Sequence, residues 1–160
     1  MLCFSERKDR ICKIASDKIC TMIQIIFFIL QSQDILKCCF EVMNTLGIGF
    51  AESVYHNALI LAMTDLGLKV TSEQCFELRF KNRIVGHFRP DLLVEDSVIV
   101  ELKCCEHLLP EHQAQLINYL AVTGKEVGLL VNFGQRKVEY KRVYHPAYRA
   151  ARDLVHPVPF

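Results

Sequence analysis

The sequence predicts a single α/β domain over residues 32–145, and three observations carry that prediction. Two short runs, 98–102 and 127–133, are almost wholly apolar, as expected of strands covered on both faces. A stretch of helical pattern, 110–124, separates them, and strand, helix, strand over this distance gives a right-handed crossover and parallel pairing. The 160 residues are 51% hydrophobic, enough for one core of ordinary size and too apolar for disorder.

The elements follow in order. Residues 1–31 form an extension, read as helical: a basic start (Arg7, Lys8, Arg10, Lys13, Lys18) runs into CTMIQIIFFIL. That pattern resembles the first two regions of a secretory signal, but no small-residue cleavage site follows it. Eleven apolar residues are also too few to span a bilayer, which takes about 20. The expectation is a cytoplasmic chain without a transmembrane segment, the helix capping the domain. Ile35, Leu36, Cys39, Phe40, Met43 and Leu46 recur at helical spacing, and Gly-Ile-Gly at 47–49 ends the run. A second helix spans 51–66 and stops at Gly67, with Val54, Ala58, Leu61 and Ala62 as its apolar stripe and Tyr55 packing it on the sheet.

Strands come next. KVTSEQCFELRF alternates in part, KNR makes a turn, and IVGHF leads into RPDLLV, where Pro90 marks an edge or a distortion. The 110–124 helix has proline near its start and Gly124 after its end. EVGLLVNF is a buried strand, KVEYKRVYH a more exposed one, and 146–160 a tail.

Charge and cysteine usage narrow the field further. The net charge is +1, yet residues 125–160 hold seven Lys/Arg against three Asp/Glu, and 49–111 hold six against ten. A basic rim beside an acidic, cation-binding centre would have this asymmetry. The eight cysteines include no CxxC and two adjacent pairs, a poor basis for a disulfide framework or a zinc knuckle. Reduced and mostly buried thiols are expected. A zinc site from Cys104, Cys105, His107 and His112 would be too crowded to close tetrahedrally.

The stretch RPDLLVEDSVIVELK places Asp91, Glu101 and Lys103 among β-branched and apolar neighbours. Glu101 and Lys103 share one face of their strand. A three-residue loop centred on Asp96 sets Asp91 opposite Glu101, whereas a two-residue turn at Glu95-Asp96 separates them unless a bulge restores the parity. Two opposed carboxylates repel, and their burial costs several kcal/mol or forces protonation. A divalent cation removes the conflict, with Lys103 beside the attacking water; a Lys103 ion pair with one carboxylate on a solvated face is the competing arrangement. Spacing alone leaves both standing.

The D-x9-E-x-K pattern resembles the PD-(D/E)XK nuclease superfamily. GFAESVY at 49–55 is similar to the motif that names its GxxExxY family, and HQAQLINYL, GLLVNFG and VEYKRV extend the likeness over residues 35–144. The resemblance implies a restriction-endonuclease-like αβββαβ core with a mixed sheet flanked by helices. It implies Mg²⁺-dependent phosphodiester hydrolysis, with Mn²⁺ as a substitute and nucleic acid, DNA above RNA, as substrate. Asp91 and Glu101 would be metal ligands, Glu52 would complete the shell directly or through water, and Lys103 would stand at the attacking water. Gln115 and Tyr119 match a glutamine and tyrosine four apart that follow the ExK strand in related nucleases; Gln115 would orient Lys103 or the water, and Tyr119 touch the phosphate. His112 shares their helical stripe, and Arg89 suits a phosphate contact; a helix-cap neighbour and a solvated edge are the competing readings for these two. A binding or accessory module on the same fold, without turnover, is the alternative function. The long amino-terminal extension departs from the family pattern.

Overall fold

The computed structural model describes the backbone of residues 4–147 and the side chains of Ile23 and of residues 26–147. Cys3, the side chains of Cys12 and Cys20, those of the basic start (Arg7, Lys8, Arg10, Lys13, Lys18) and the tail from 148 onwards lie outside the described residues. In chain order the elements are α1 (Phe4–Leu46), α2 (Glu52–Asp65), β1 (Val70–Ser72), β2 (Phe76–Phe80), β3 (Arg83–Phe88), β4 (Leu92–Val94), β5 (Val98–Lys103), α3 (Pro110–Thr123), β6 (Val127–Asn132) and β7 (Glu139–Tyr144).

β5 and β6 lie side by side and parallel at the centre of a five-stranded mixed sheet of order β1-β4-β5-β6-β7. β4 runs antiparallel to β5, β1 to β4, and β7 to β6. The alternation of side chains divides the core in two. Val98, Val100 and Leu102 of β5, with Leu129 and Val131 of β6, pack against Ile35, Cys39, Tyr55, Leu59 and Met63 of α1 and α2. Ile99, Leu130 and Leu93 face the other way, onto Leu116 and Leu120 of α3. Each such fully buried aliphatic side chain contributes roughly 1.5–3 kcal/mol. The fold is therefore mixed α/β, with helices on both faces of the sheet.

Two glycines set how closely the layers approach. A Cβ on Gly128 would stand 2.7 Å from Leu116, so α3 rests directly on β6. A Cβ on Gly134 would stand 2.1 Å from the carbonyl oxygen of Cys105, so no side chain fits where the loop after β5 crosses the end of β6. The buried Asn132 fixes that loop. Its Oδ1 accepts the N–H groups of Cys105 and Gly134 at 3.0 and 2.9 Å, and its Nδ2 donates to Cys105 O at 2.9 Å and Glu139 Oε2 at 3.2 Å.

Several expectations are corrected. KVTSEQCFELRF is not one strand: Glu73 takes φ 49°, its N–H bonds the carbonyl of Asp91, and the chain splits there into β1 and β2 in different sheets. IVGHF pairs with β2 across the expected KNR turn, and the two form a two-stranded sheet of their own. Pro90 marks a distortion and not an edge, because β4 lies between β1 and β5. The buried stripe of α2 is Tyr55, Leu59 and Met63; Leu61 and Val54 are exposed, one step round the helix from the face met by the sheet. Phe40 also faces outward, against Tyr140. The thiols of Cys38 and Cys39 are buried, but Cys75 and Cys104 are exposed and Cys105 is intermediate, because the last two follow β5 into a surface loop.

α1 passes through positions 31 and 32 without a break. Ser32 is fully buried, its hydroxyl donating to the carbonyl of Phe28 and accepting from Arg142 Nε at 3.1 Å. Among the described residues no helix is long and apolar enough to cross a membrane.

Candidate active site

The β4–β5 connection decides the geometry. Glu95 and Asp96 both take left-handed conformations, φ 51° and 54°, and Ser97 N–H bonds Val94 O at 3.0 Å. Side chains hold this turn from three directions. Glu95 accepts from Lys69 N–H at 2.6 Å, Ser97 donates to Gln31 at 2.9 Å, and Lys125 Nζ donates to Asp96 O at 2.6 Å. The loop is three residues long, with Val94 opposite Val98 and Leu92 opposite Val100. Asp91 lies one residue before β4, and its charge bears on Glu101, one residue past Val100 on β5.

The two acids meet different surroundings. Asp91 Oδ2 accepts the Leu102 N–H at 2.7 Å. Glu101 is only 2% exposed; its Oε1 accepts from Lys103 Nζ at 2.9 Å, and its Oε2 is buried without a hydrogen-bond partner. Burial, and then the charge of Asp91, push the Glu101 carboxyl up to about 7, against the pull of Lys103. For Lys103, burial works to lower the proton affinity. Its hydrogen bond to Glu101 and the charges of Glu101, Asp91 and Glu52 outweigh it, so the group is raised and stays an ammonium.

Glu52 is the first residue of α2, where a negative charge complements the helix N-terminus. It shares a cleft of about 170 Å³ with Ser53, His56, Glu73, Asp91 and Leu102. Lys103 is thus the common electrostatic neighbour of Glu52, Asp91 and Glu101. Among the described residues, however, no three acidic, histidine or cysteine side chains close into a finished metal cage. The donor set still fits a hard divalent cation. It consists of carboxylates, and one of their buried oxygens lacks any partner.

The remaining sequence candidates sit on α3 and just past β3. Gln115 Nε2 donates to Tyr119 OH at 3.0 Å, and Tyr119 meets the edge of Phe88 at a centroid separation of 5.9 Å. His112 closes the start of α3: its N–H donates to Leu109 O at 3.1 Å, and its Nδ1 accepts the Leu109 N–H at 3.2 Å. Arg89 is exposed at the end of β3. Two cleft residues escaped the sequence reading. His56 Nε2 lies 3.3 Å from the Asp91 carbonyl oxygen and 3.1 Å from Ser72 Oγ, and Glu73 bonds the same carbonyl through its backbone. His56 was detectable as the residue four past Glu52, on the same helical face.

The model of the PD-(D/E)XK nuclease superfamily matches residues 30–143. The chain belongs to that superfamily, whose nucleases generally use divalent metal ions. Among solved structures it is similar to SSO0001, with 20% identity, a TM-score of 0.47, and coverage of 67% of this chain and 59% of that one. It is also similar to the alkaline exonuclease LHK-Exo from Laribacter hongkongensis, with 18% identity, a TM-score of 0.43, and coverage of 58% and 55%. The complex of LHK-Exo with dAMP gives 18%, 0.47, and 74% and 71%. The chain therefore spans less than two thirds of the first two of these proteins. No curated protein matches it.

Proposed function

We propose that this chain is a cytoplasmic, Mg²⁺-dependent nuclease of the GxxExxY type, with Mn²⁺ able to substitute, hydrolysing phosphodiester bonds of nucleic acid and of DNA in particular. The observation that carries the reading is the buried, unpartnered Oε2 of Glu101, whose carboxyl feels the charge of Asp91 and lies two residues from an ammonium group. A structural ion pair would leave no such oxygen unsatisfied, since an orphaned buried acceptor costs about 1–3 kcal/mol.

Asp91 and Glu101 would hold the ion, with Glu52 completing the shell across the cleft. When bound, the ion supplies Lewis-acid stabilisation of charge on the phosphate and lowers the pKa of water. Lys103 donates hydrogen bonds to the attacking water or a phosphate oxygen, or helps to deprotonate that water. Gln115 and Tyr119 act as a hydrogen-bonded pair that orients the water side and the phosphate, and Arg89 meets the phosphate from the exposed end of β3. His112 supports the start of the helix that carries Gln115, with substrate contact as its secondary role.

Nicking of plasmid and single-stranded DNA by the purified chain, with Mg²⁺ or with EDTA, tests the reading. Cleavage is expected only with the metal and is abolished in Lys103→Ala while binding persists. Equal cleavage by variant and parent removes the assignment, and salt-sensitive binding with no metal dependence points to a binding module.

A further inference from the structure

We propose that the β2–β3 hairpin is an arm that holds an unpaired nucleic-acid strand, with one base stacked on Phe80 and its flanking phosphates on Lys81 and Arg83 at the tip, the strand then running along the arm past Arg89 towards Asp91. The inference rests on the nuclease reading for what happens to the strand, and on the hairpin alone for the binding.

β2 and β3 pair only with each other and stand apart from the five-stranded sheet. Their base is anchored, Phe88 lying edge-on to Tyr119 and Phe76 packing on the α3 side of the core. Further out the apolar side chains are uncovered: Phe80 is 64% exposed and Val85 59%. A lone hairpin gains little stability from such residues, so their exposure answers to something the arm meets.

The tip is tightly defined. Lys81 and Asn82 both take left-handed conformations, φ 48° and 61°, making a two-residue turn with Phe80 opposite Arg83. The Lys81 ammonium lies 5.4 Å from the centre of the Phe80 ring. Glu77 is the only acid between positions 76 and 90, and Arg79 takes it up at 2.6 Å. Lys81, Arg83 and Arg89 are exposed and form no ion pair with the described residues.

An uncovered aromatic ring among unneutralised cations matches the repeating chemistry of a single strand, a flat base followed by a phosphate. A purely apolar protein partner would leave those cations without counter-charge. The base of the arm, opposite its tip, adjoins the site: Phe88 is three residues before Asp91, a reach of at most about 11 Å, so a strand held at Phe80 reaches Asp91 by running down the arm past Arg89.

The test is fluorescence anisotropy with a labelled oligothymidylate, an oligouridylate, and the oligothymidylate annealed to its complement, using the full chain in EDTA. The parent is expected to prefer the single strands over the duplex. Phe80→Ala should weaken that binding about tenfold, and the double variant Lys81→Glu, Arg83→Glu should flatten its salt dependence. The charge variant keeps the test decisive if Phe80→Ala does not fold by circular dichroism. Parent-like affinity in the folded variants, preference for duplex, or a Phe80-dependent self-association without strand binding overturns the proposal. Hydrolysis of bis(p-nitrophenyl) phosphate by the parent with Mn²⁺ tests the nuclease reading separately. If it is absent while Phe80→Ala still loses strand affinity, that reading falls and the arm stands.

Discussion

Asp91, one residue before β4, accepts the Leu102 N–H on its Oδ2 at 2.7 Å and sets its charge beside the buried Glu101 carboxyl. Glu101 has Lys103 on one oxygen and nothing on the other. Burial and the neighbouring Asp91 charge raise the Glu101 carboxyl, so without a cation it keeps its proton up to about pH 7.

A pH dependence of stability follows. The Glu101 carboxyl sits at about 7 in the fold and near its ordinary 4.5 when unfolded. Its contribution is therefore complete below about pH 4.5 and lost as pH rises through 7, a fall of about 3 kcal/mol for the metal-free chain. Urea midpoints at pH 5 and pH 8 check this. Glu101→Gln should flatten the slope and be the more stable protein at pH 8; an unchanged slope in the variant contradicts the assignment.

Metal binding should reverse that loss. Mg²⁺ or Mn²⁺ is expected to raise the melting temperature of the parent but not of Glu101→Gln or Asp91→Asn. Near pH 6.5 it should also release protons, because the ligand must ionise. Calorimetry in two buffers of different ionisation enthalpy measures the release, and none in the parent would count against Glu101 as a ligand.

Tyr55 ties α2 to the loop before it. Its hydroxyl donates to Gly47 O at 2.8 Å and accepts from Phe50 N at 3.4 Å, and its ring stacks on Phe133 at 4.8 Å. Tyr55→Phe should keep the stacking and lose about 1–2 kcal/mol, leaving the Gly47 carbonyl unpaired. Thermal denaturation measures the loss. Cleavage should fall by less than in Glu52→Gln if the hydroxyl only steadies the start of the helix.

Gly134→Ala is expected to destabilise by at least about 1–3 kcal/mol, the usual range for overpacking, since the new methyl group meets the Cys105 backbone. The same contact lies two residues past Lys103, so cleavage should drop further than stability explains. A variant as stable and active as the parent would show that the loop yields freely.

The sequence made the centre of the fold legible and its periphery less so. The 98–103 and 127–132 strands, the 110–123 helix and its glycine stop follow from long apolar runs and strong punctuation, and the structure has all of them. Parity also reduced the Asp91–Glu101 question to loop length. The separate β2–β3 sheet was not legible, because a residue at positive φ such as Glu73 carries no signal of its own. His56 went unread because its contact is to a backbone carbonyl 35 residues away. Nor could helical spacing alone show that α2 buries Tyr55, Leu59 and Met63 and not the neighbouring stripe, since both are apolar at that period.

The three-residue connection between Val94 and Val98 carries a consequence for the gene. Substitutions at 95, 96 or 97 change side-chain contacts to Lys69, Lys125 or Gln31. Loss or gain of one codon there would instead invert the whole of β4, turning Leu92 and Val94 out of the α1–α2 layer and swinging Asp91 to the opposite side. Reading-frame length at this corner is thus under tighter physical control than spelling.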